Sequence, residues 1–185
     1  VQNAVDAGAT KVDLRADKQS DGTWLVSCED NGGGMSEEVL TTKFLKMGGS
    51  TKQDDAGVAG GFGKAKEMLL LPWLSWRMHT RDKAAVGSGD DYKVESAPYL
   101  RGSKLTVRMS ADKYTYGAMA KSFLAKCTLP DVAFTVDGEK VKSGVKGTRL
   151  IESLPGKFDA YFAPSDERSN YVYVRTKGLY MFEVY

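Results

Sequence analysis

The stretch Thr23-Trp24-Leu25-Val26-Ser27-Cys28-Glu29-Asp30-Asn31-Gly32-Gly33-Gly34-Met35-Ser36 sets an alternating strand against an acid and three consecutive glycines. Trp24, Val26 and Cys28 fall on one face of that strand. Upstream, Ser20-Asp21-Gly22 is a turn signal, and Val12, Leu14 and Ala16 mark the partner strand of a hairpin. The hairpin delivers Asp30 at a strand end, where a carboxylate can point into a pocket. A plain hairpin-to-helix turn would account for the glycines, but not for an acid that closes an apolar strand.

Working outward, Val1 to Ala7 reads as the tail of a helix stopped by Gly8. Ser36 is an N-cap for a short helix carrying Val39, Leu40 and Phe44. Gly48 to Gly61 is polar and glycine-rich and reads as a mobile loop. A helix from Lys64 to Leu71 ends at Pro72. Trp73–Thr80, Tyr92–Ser96 and the Leu105, Val107, Met109 alternation read as three strands. Tyr116–Cys127 has helical spacing, and Asp131–Val141 is a strand pair turned at Asp137-Gly138. Strands and helices mix without βαβ alternation, which predicts an α+β fold, a two-layer α/β sandwich with a mixed sheet packed on helices. A Lys/Gly-rich stretch near Ser143-Gly144 divides residues 1–142 from 143–185, a β-rich extension or the start of a second domain. The second unit carries strand signals at Asp159–Ala163, Tyr171–Thr176 and Leu179–Tyr185.

Bulk properties narrow the class. The chain has 185 residues, 42% hydrophobic and 27% charged, which suits a globular domain and a fragment of another. A net charge of +2 gives no general electrostatic case for nucleic acid or membrane binding. The longest apolar run, Met68 to Trp76, is interrupted by Pro72 and Ser75, so no membrane span is expected. Cys28 and Cys127 are distant and lack metal-type spacing; Cys28 is expected as a buried strand thiol, and the composition as intracellular, cytoplasmic or nuclear. His79, the single histidine, has no nucleophile pattern beside it and reads as a partly exposed structural residue. Trp73 and Trp76 read as core or rim aromatics.

Two further patches accompany the first. Asn3-Ala4-Val5-Asp6-Ala7 lies on the opening helix, and Gly60-Gly61-Phe62-Gly63-Lys64-Ala65 precedes another helix. The three together supply a metal-binding amide, an acid beside a glycine turn and a backbone phosphate cradle. Free amides and the positive dipole end suit a phosphate at Gly60 to Ala65, and Lys64 or Lys66 adds charge or simply faces solvent. The spacing is not that of a P-loop.

In this order the patches resemble those of the GHKL ATPase superfamily, named for gyrase, the ninety-kilodalton heat-shock chaperones, histidine kinases and MutL. Val1 to Asp13 is most similar to the MutL version, through its Asp-Ala-Gly-Ala-Thr turn. Asp30-Asn31-Gly32-Gly33-Gly34-Met35 fits Asp-x-Gly-x-Gly, with Met35 similar to the chaperones. Gly60 to Ala65 fits Gly-x-x-Gly-x-Gly except at Ala65, a departure similar to MutL. The resemblance covers residues 1–142 and implies a Bergerat-type ATP-binding domain using ATP and Mg²⁺. It implies that Asn3 binds the ion through its amide oxygen, with Asp6 behind it. Asp30 would accept a hydrogen bond from the adenine amino group, Gly32 and Gly34 would let backbone approach the ring, and Met35 would pack on the adenine face. Ser50 and Thr51 lie where the family carries its ATP lid. Ser103, in Arg101-Gly102-Ser103-Lys104-Leu105, resembles the chaperone hydroxyl of the adenine–Asp network, or else simply begins a strand.

The resemblance further implies nucleotide-driven lid closure and a homodimer formed on ATP binding; it does not determine whether a nucleic acid or a client protein is the partner. A non-hydrolysing nucleotide-binding or degenerate scaffold module is the alternative. The family's general-base Glu precedes the metal-binding Asn by one helical turn, a position before Val1, so none of the acids present is its match. The 185-residue chain is therefore expected to bind nucleotide without appreciable turnover, since loss of a general base removes ~10²–10⁴ in rate. Steady hydrolysis by the purified chain, abolished by Asp30→Asn, would show that another acid serves as base.

Overall fold

The computed structural model describes residues 1–45, 74–89, 91–110, 116–144, 149–154, 158–162, 172–176 and 178–184. The lid positions Ser50 and Thr51, the patch Gly60 to Ala65, the helix expected at Lys64–Leu71 and Trp73 lie outside the described residues.

Helix α1 (Gln2–Asp6) leads through Ala7-Gly8 into β1 (Lys11–Lys18) and its hairpin partner β2 (Trp24–Asp30). A short helix α2 (Glu37–Val39) continues into a π-helical turn (Leu40–Phe44). The Ser36 hydroxyl caps α2 as expected, accepting from the Val39 N–H at 3.2 Å. Strands β3 (Ser75–Ser88) and β4 (Asp91–Met109) form a long hairpin, followed by α3 (Tyr116–Lys126), β5 (Ala133–Val136) and β6 (Glu139–Val141). The tight turn between β5 and β6 is Asp137-Gly138, as the sequence predicts. Short hairpins follow, β7 (Arg149–Leu154) with β8 (Phe158–Phe162) and β9 (Val172–Thr176) with β10 (Leu179–Val184).

The main sheet has the order β3-β4-β2-β1-β5-β6. It is mixed: β1 and β5 run parallel, the other neighbours antiparallel. Two apolar clusters lie on its helical side. Ala4 of α1 and Leu124 and Cys127 at the end of α3 join Val12, Leu14, Phe134 and Val136 in one. Leu40, Trp76, Met78, Val26 and Val107 form the other, with Phe44 and Met35 packed against it. Helices on one face of a mixed sheet make the expected two-layer α+β sandwich.

Several details differ from the sequence expectation: β3, expected to end at Thr80, runs on to Ser88 because its second half pairs with the start of β4. Tyr92–Ser96 and the Leu105–Met109 strand are parts of one strand, β4. The gap expected after Ser96, which contains Pro98, is absorbed by register shifts: between the pairs Arg81↔Leu100 and Lys83↔Ser96, β4 loops out extra residues without leaving the sheet. Cys28 is half-buried rather than buried, packed at the margin of the first cluster. The β7 strand was not anticipated.

The β9–β10 hairpin docks against the end of α3. Leu179, 3% exposed, joins the first cluster. The Thr128 N–H donates to the Gly178 carbonyl at 2.6 Å, and the Lys126 ammonium pairs with Glu183 at 2.9 Å. Leu179→Ala should therefore cost ~2–5 kcal/mol of stability, the value for a core leucine. Urea unfolding would check this; a loss near that of an exposed alanine substitution would mean the hairpin lies loosely on the core.

Candidate functional site

Alternation decides where the polar groups gather. On β2 the inward positions run Trp24, Val26, Cys28 and then Asp30; on β3, Trp76, Met78 and then Thr80; on β4, Met109, Val107, Leu105 and then Ser103. The register pairs Asp30 with Ser103 and Ser103 with Thr80. Three apolar faces thus end in one polar row crossing three adjacent strands. The row lies beside the Asn31–Gly34 turn.

Each member of the row is tied down. The Asp30 carboxylate accepts the Gly32 N–H at 2.8 Å, and the Ser103 backbone N–H on the neighbouring strand also favours its charged form. Burial pushes its pKa above the ordinary carboxylate value, and these two N–H donors pull back without cancelling that effect. Thr80 is fully buried. Its hydroxyl donates to the Gly102 carbonyl at 3.0 Å, and accepts the Met35 N–H at 2.7 Å and the Ser103 hydroxyl at 3.2 Å. The Ser103 hydroxyl thus faces Thr80, and its backbone N–H faces the acid.

Glycine is required where backbones converge. At Gly102, φ is +92°, and a Cβ would stand 2.0 Å from the Asp30 carbonyl oxygen. At Gly34, φ is +64°, and a Cβ would meet the Gly102 oxygen at 2.7 Å and the Thr80 hydroxyl at 3.0 Å. Met35 is half-buried and packs on the second apolar cluster below the row.

The opening helix reaches the same place. The Gly33 N–H donates to the Ala7 carbonyl at 3.0 Å, so the end of α1 abuts the glycine turn. Asn31 reinforces the junction, its amide oxygen accepting the Thr10 and Lys11 N–H groups at 2.9 and 2.8 Å. Asn3 is exposed one helical turn before Ala7, and its own carbonyl accepts the Ala7 N–H at 3.0 Å; Asp6 is half-buried beside it. Asn3, Asp6, Asp30, Gly32, Gly34, Met35 and Ser103 therefore belong to one neighbourhood.

Sequence reasoning missed Thr80 and Arg81. Thr80 had a signal, a polar residue at the inward step of an apolar alternation. Arg81 had none. His79 is half-buried, its Nε2 2.8 Å from the Pro98 carbonyl oxygen, a structural tie.

An acid with inward amide anchors beside a glycine turn, on a mixed sheet backed by helices, is the arrangement of a nucleotide-binding ATPase domain. Residues 1–97 match the family described as histidine kinase-, DNA gyrase B- and HSP90-like ATPases. The chain belongs to this GHKL family, as an ATP-binding domain of Bergerat type. It is 46% identical over 55 residues to the DNA mismatch repair protein MutL of an Exiguobacterium species, covering 30% of this chain and 9% of that protein. It is 31% identical over 119 residues to MutL of Shewanella frigidimarina, covering 58% and 19%. The chain thus spans a small part of the length of these relatives. A solved structure of the Aquifex aeolicus MutL ATPase domain complexed with ADP is similar with a TM-score of 0.46 and 20% identity, over 77% of this chain and 60% of that one.

The displaced pKa has a consequence for stability. With Asp30 raised in the fold, the neutral acid is the form that folding favours. Its contribution is complete below the unfolded pKa and is lost as pH rises through the folded one. Asp30→Asn, which stays neutral, should therefore match wild type at about pH 4 and be at least as stable at about pH 7. Urea melts at the two pH values would check this; an Asn variant less stable at the higher pH would mean that the ionised carboxylate holds the turn.

Proposed function

We propose that the polar row reads the adenine of a bound ATP and that Asn3 meets the metal at the other end of the same ligand. The observation that carries this reading is the half-buried Asp30, whose carboxylate is held at the head of the glycine turn by the Gly32 N–H. Such an acceptor fits an exocyclic amine, which brings its own N–H. Gly32 and Gly34 let the turn lie close against Ala7 and against Gly102 and Thr80, where a Cβ would collide, and Met35 offers a thioether beside it.

The donor set fits Mg²⁺ arriving with phosphates. Among the described residues no three His, Cys, Asp or Glu side chains stand together as a metal site. Mg²⁺ takes few protein oxygens and keeps phosphate and water around it, so one neutral amide such as Asn3 suffices. When bound, the ion would neutralise charge on the triphosphate. Asp6, half-buried one helical turn from Asn3, would orient that amide or its water. Gly60, Gly61, Phe62, Gly63, Lys64 and Ala65 would offer backbone amides to the phosphates, with Ser50 and Thr51 on a lid above them.

The whole protein would then hydrolyse ATP and would convert nucleotide state into lid closure and homodimer assembly. Residues 1–142 would form the ATP-binding unit and 143–185 a β-rich extension of it or part of a second unit. The two MutL relatives are DNA mismatch repair proteins, which would set this nucleotide cycle in that process. Cys28 and Cys127 are free thiols, which supports an intracellular setting. Among the described residues no helix is long and apolar enough to cross a membrane.

Two substitutions separate the ends of the ligand. Asp30→Asn should weaken adenosine, ADP and a non-hydrolysable ATP analogue alike, by ~1.5–3 kcal/mol, the value of a lost charge-assisted hydrogen bond. Asn3→Ala should weaken the Mg²⁺-loaded analogue and leave adenosine unchanged. Calorimetry with the three ligands reads both patterns. Equal affinities for wild type and a folded Asp30→Asn variant would remove Asp30 as base reader, and a uniform loss in Asn3→Ala would make Asn3 structural.

A further inference from the structure

Arg81 stands at the bulge of β3, next to Thr80, with φ of +50°. A non-glycine residue in that region is uncommon, and one persists where surrounding structure over-determines it. Here the surroundings are the glycine turn. Arg81 Nε and one terminal nitrogen both donate to the Gly33 carbonyl, at 3.2 and 3.0 Å. Its aliphatic stem lies over Gly34, where a Cβ would meet Arg81 Cγ at 3.2 Å.

Gly33 is consequently held at both polar atoms. Its N–H is bound to the end of α1 and its carbonyl to the guanidinium fork. A run of three glycines has the widest backbone freedom of any turn, and fixing it on ligand binding would cost entropy. A fork of two donors fixes both the position and the tilt of the carbonyl, which a single ammonium does not.

We infer that Arg81 is a positioning residue for the adenine end of the site: through Gly33 it holds the turn, and so Asp30 and Met35, in the conformation that receives the base. The inference rests on the nucleotide reading given above. It makes Arg81 act through the turn, without touching the phosphates. The left-handed backbone at the bulge is what aims the side chain back across the turn.

The test uses the full 185-residue chain and calorimetry with adenosine, ADP and a Mg²⁺-loaded non-hydrolysable ATP analogue. Arg81→Met keeps the stem and removes the donors. Arg81→Gly relieves the backbone and removes both. Each should lose affinity about tenfold, the equivalent of one charge-assisted hydrogen bond. The loss should be equal for all three ligands, with melting temperatures within roughly 4 °C of wild type. Arg81→Lys, with a single point of donation, should recover only part of it. Unchanged affinities in Arg81→Met and Arg81→Gly overturn the inference. So does a loss confined to the phosphate-bearing ligands, which would make Arg81 a phosphate contact. If the wild type binds none of the three, the nucleotide reading falls and takes this one with it; binding by wild type with equal binding by the variants removes this one alone.

Discussion

The site depends on one constraint: three neighbouring strands exhaust their apolar alternation at the same cross-strand row. Inward positions on β2, β3 and β4 are apolar until Asp30, Thr80 and Ser103, and the register brings those three side by side. A polar group at an inward position must find a partner or remain desolvated at a cost. Thr80 and Ser103 satisfy each other and the backbone, whereas Asp30 retains an acceptor whose charged form is penalised by burial. The row is therefore the edge of the core and, on the proposed reading, the floor of the nucleotide site.

The approach of backbone segments follows from the same row. β4 can lie against the end of β2 because Gly102 has no side chain to collide with the Asp30 carbonyl. The turn after Asp30 is then reached from three sides, by the end of α1 at Gly33, by the Thr10 and Lys11 N–H groups at Asn31 and by β3 through Arg81 and Thr80. Helix α1 thereby acquires a fixed position relative to the acid, although it is only five residues long. A helix of that length has little stability of its own, so its place is set by Ala4 in the core and Ala7 against the turn.

Much of this was legible in the sequence because the signals were local. The Trp24–Asp30 alternation, the Ser36 cap and the Asp137-Gly138 turn each depend on residues within a few positions of one another. The acid-and-glycine pattern led directly to Asp30, Gly32 and Gly34. What escaped depended on partners far along the chain. β4 continues past Pro98 because the bulge loops out the residue that cannot donate, and that is decided by pairing with β3. Thr80 gains its role from Met35, Gly102 and Ser103. Arg81 carries no pattern at all, since its backbone angle is visible only when the bulge is built. Cys28 was expected deeper than it lies because alternation gives the face of a strand and not its distance from the cluster centre.

The position of Leu179 has a consequence for the order in which the chain can assemble. The row and its apolar cluster are drawn from residues between 24 and 109, in antiparallel neighbours joined by hairpins or by one connection. The other cluster needs β1 beside β5, a parallel pair separated by most of the domain, and is sealed only when Leu179 arrives. Loop closure grows more costly with separation, and non-local pairing is correspondingly slow. During synthesis, then, the half that holds Asp30 has its contacts available while the half that seats α1 is still waiting for its last pieces. The helix bearing Asn3, the earliest of these elements to leave the ribosome, is among the last to be locked in place.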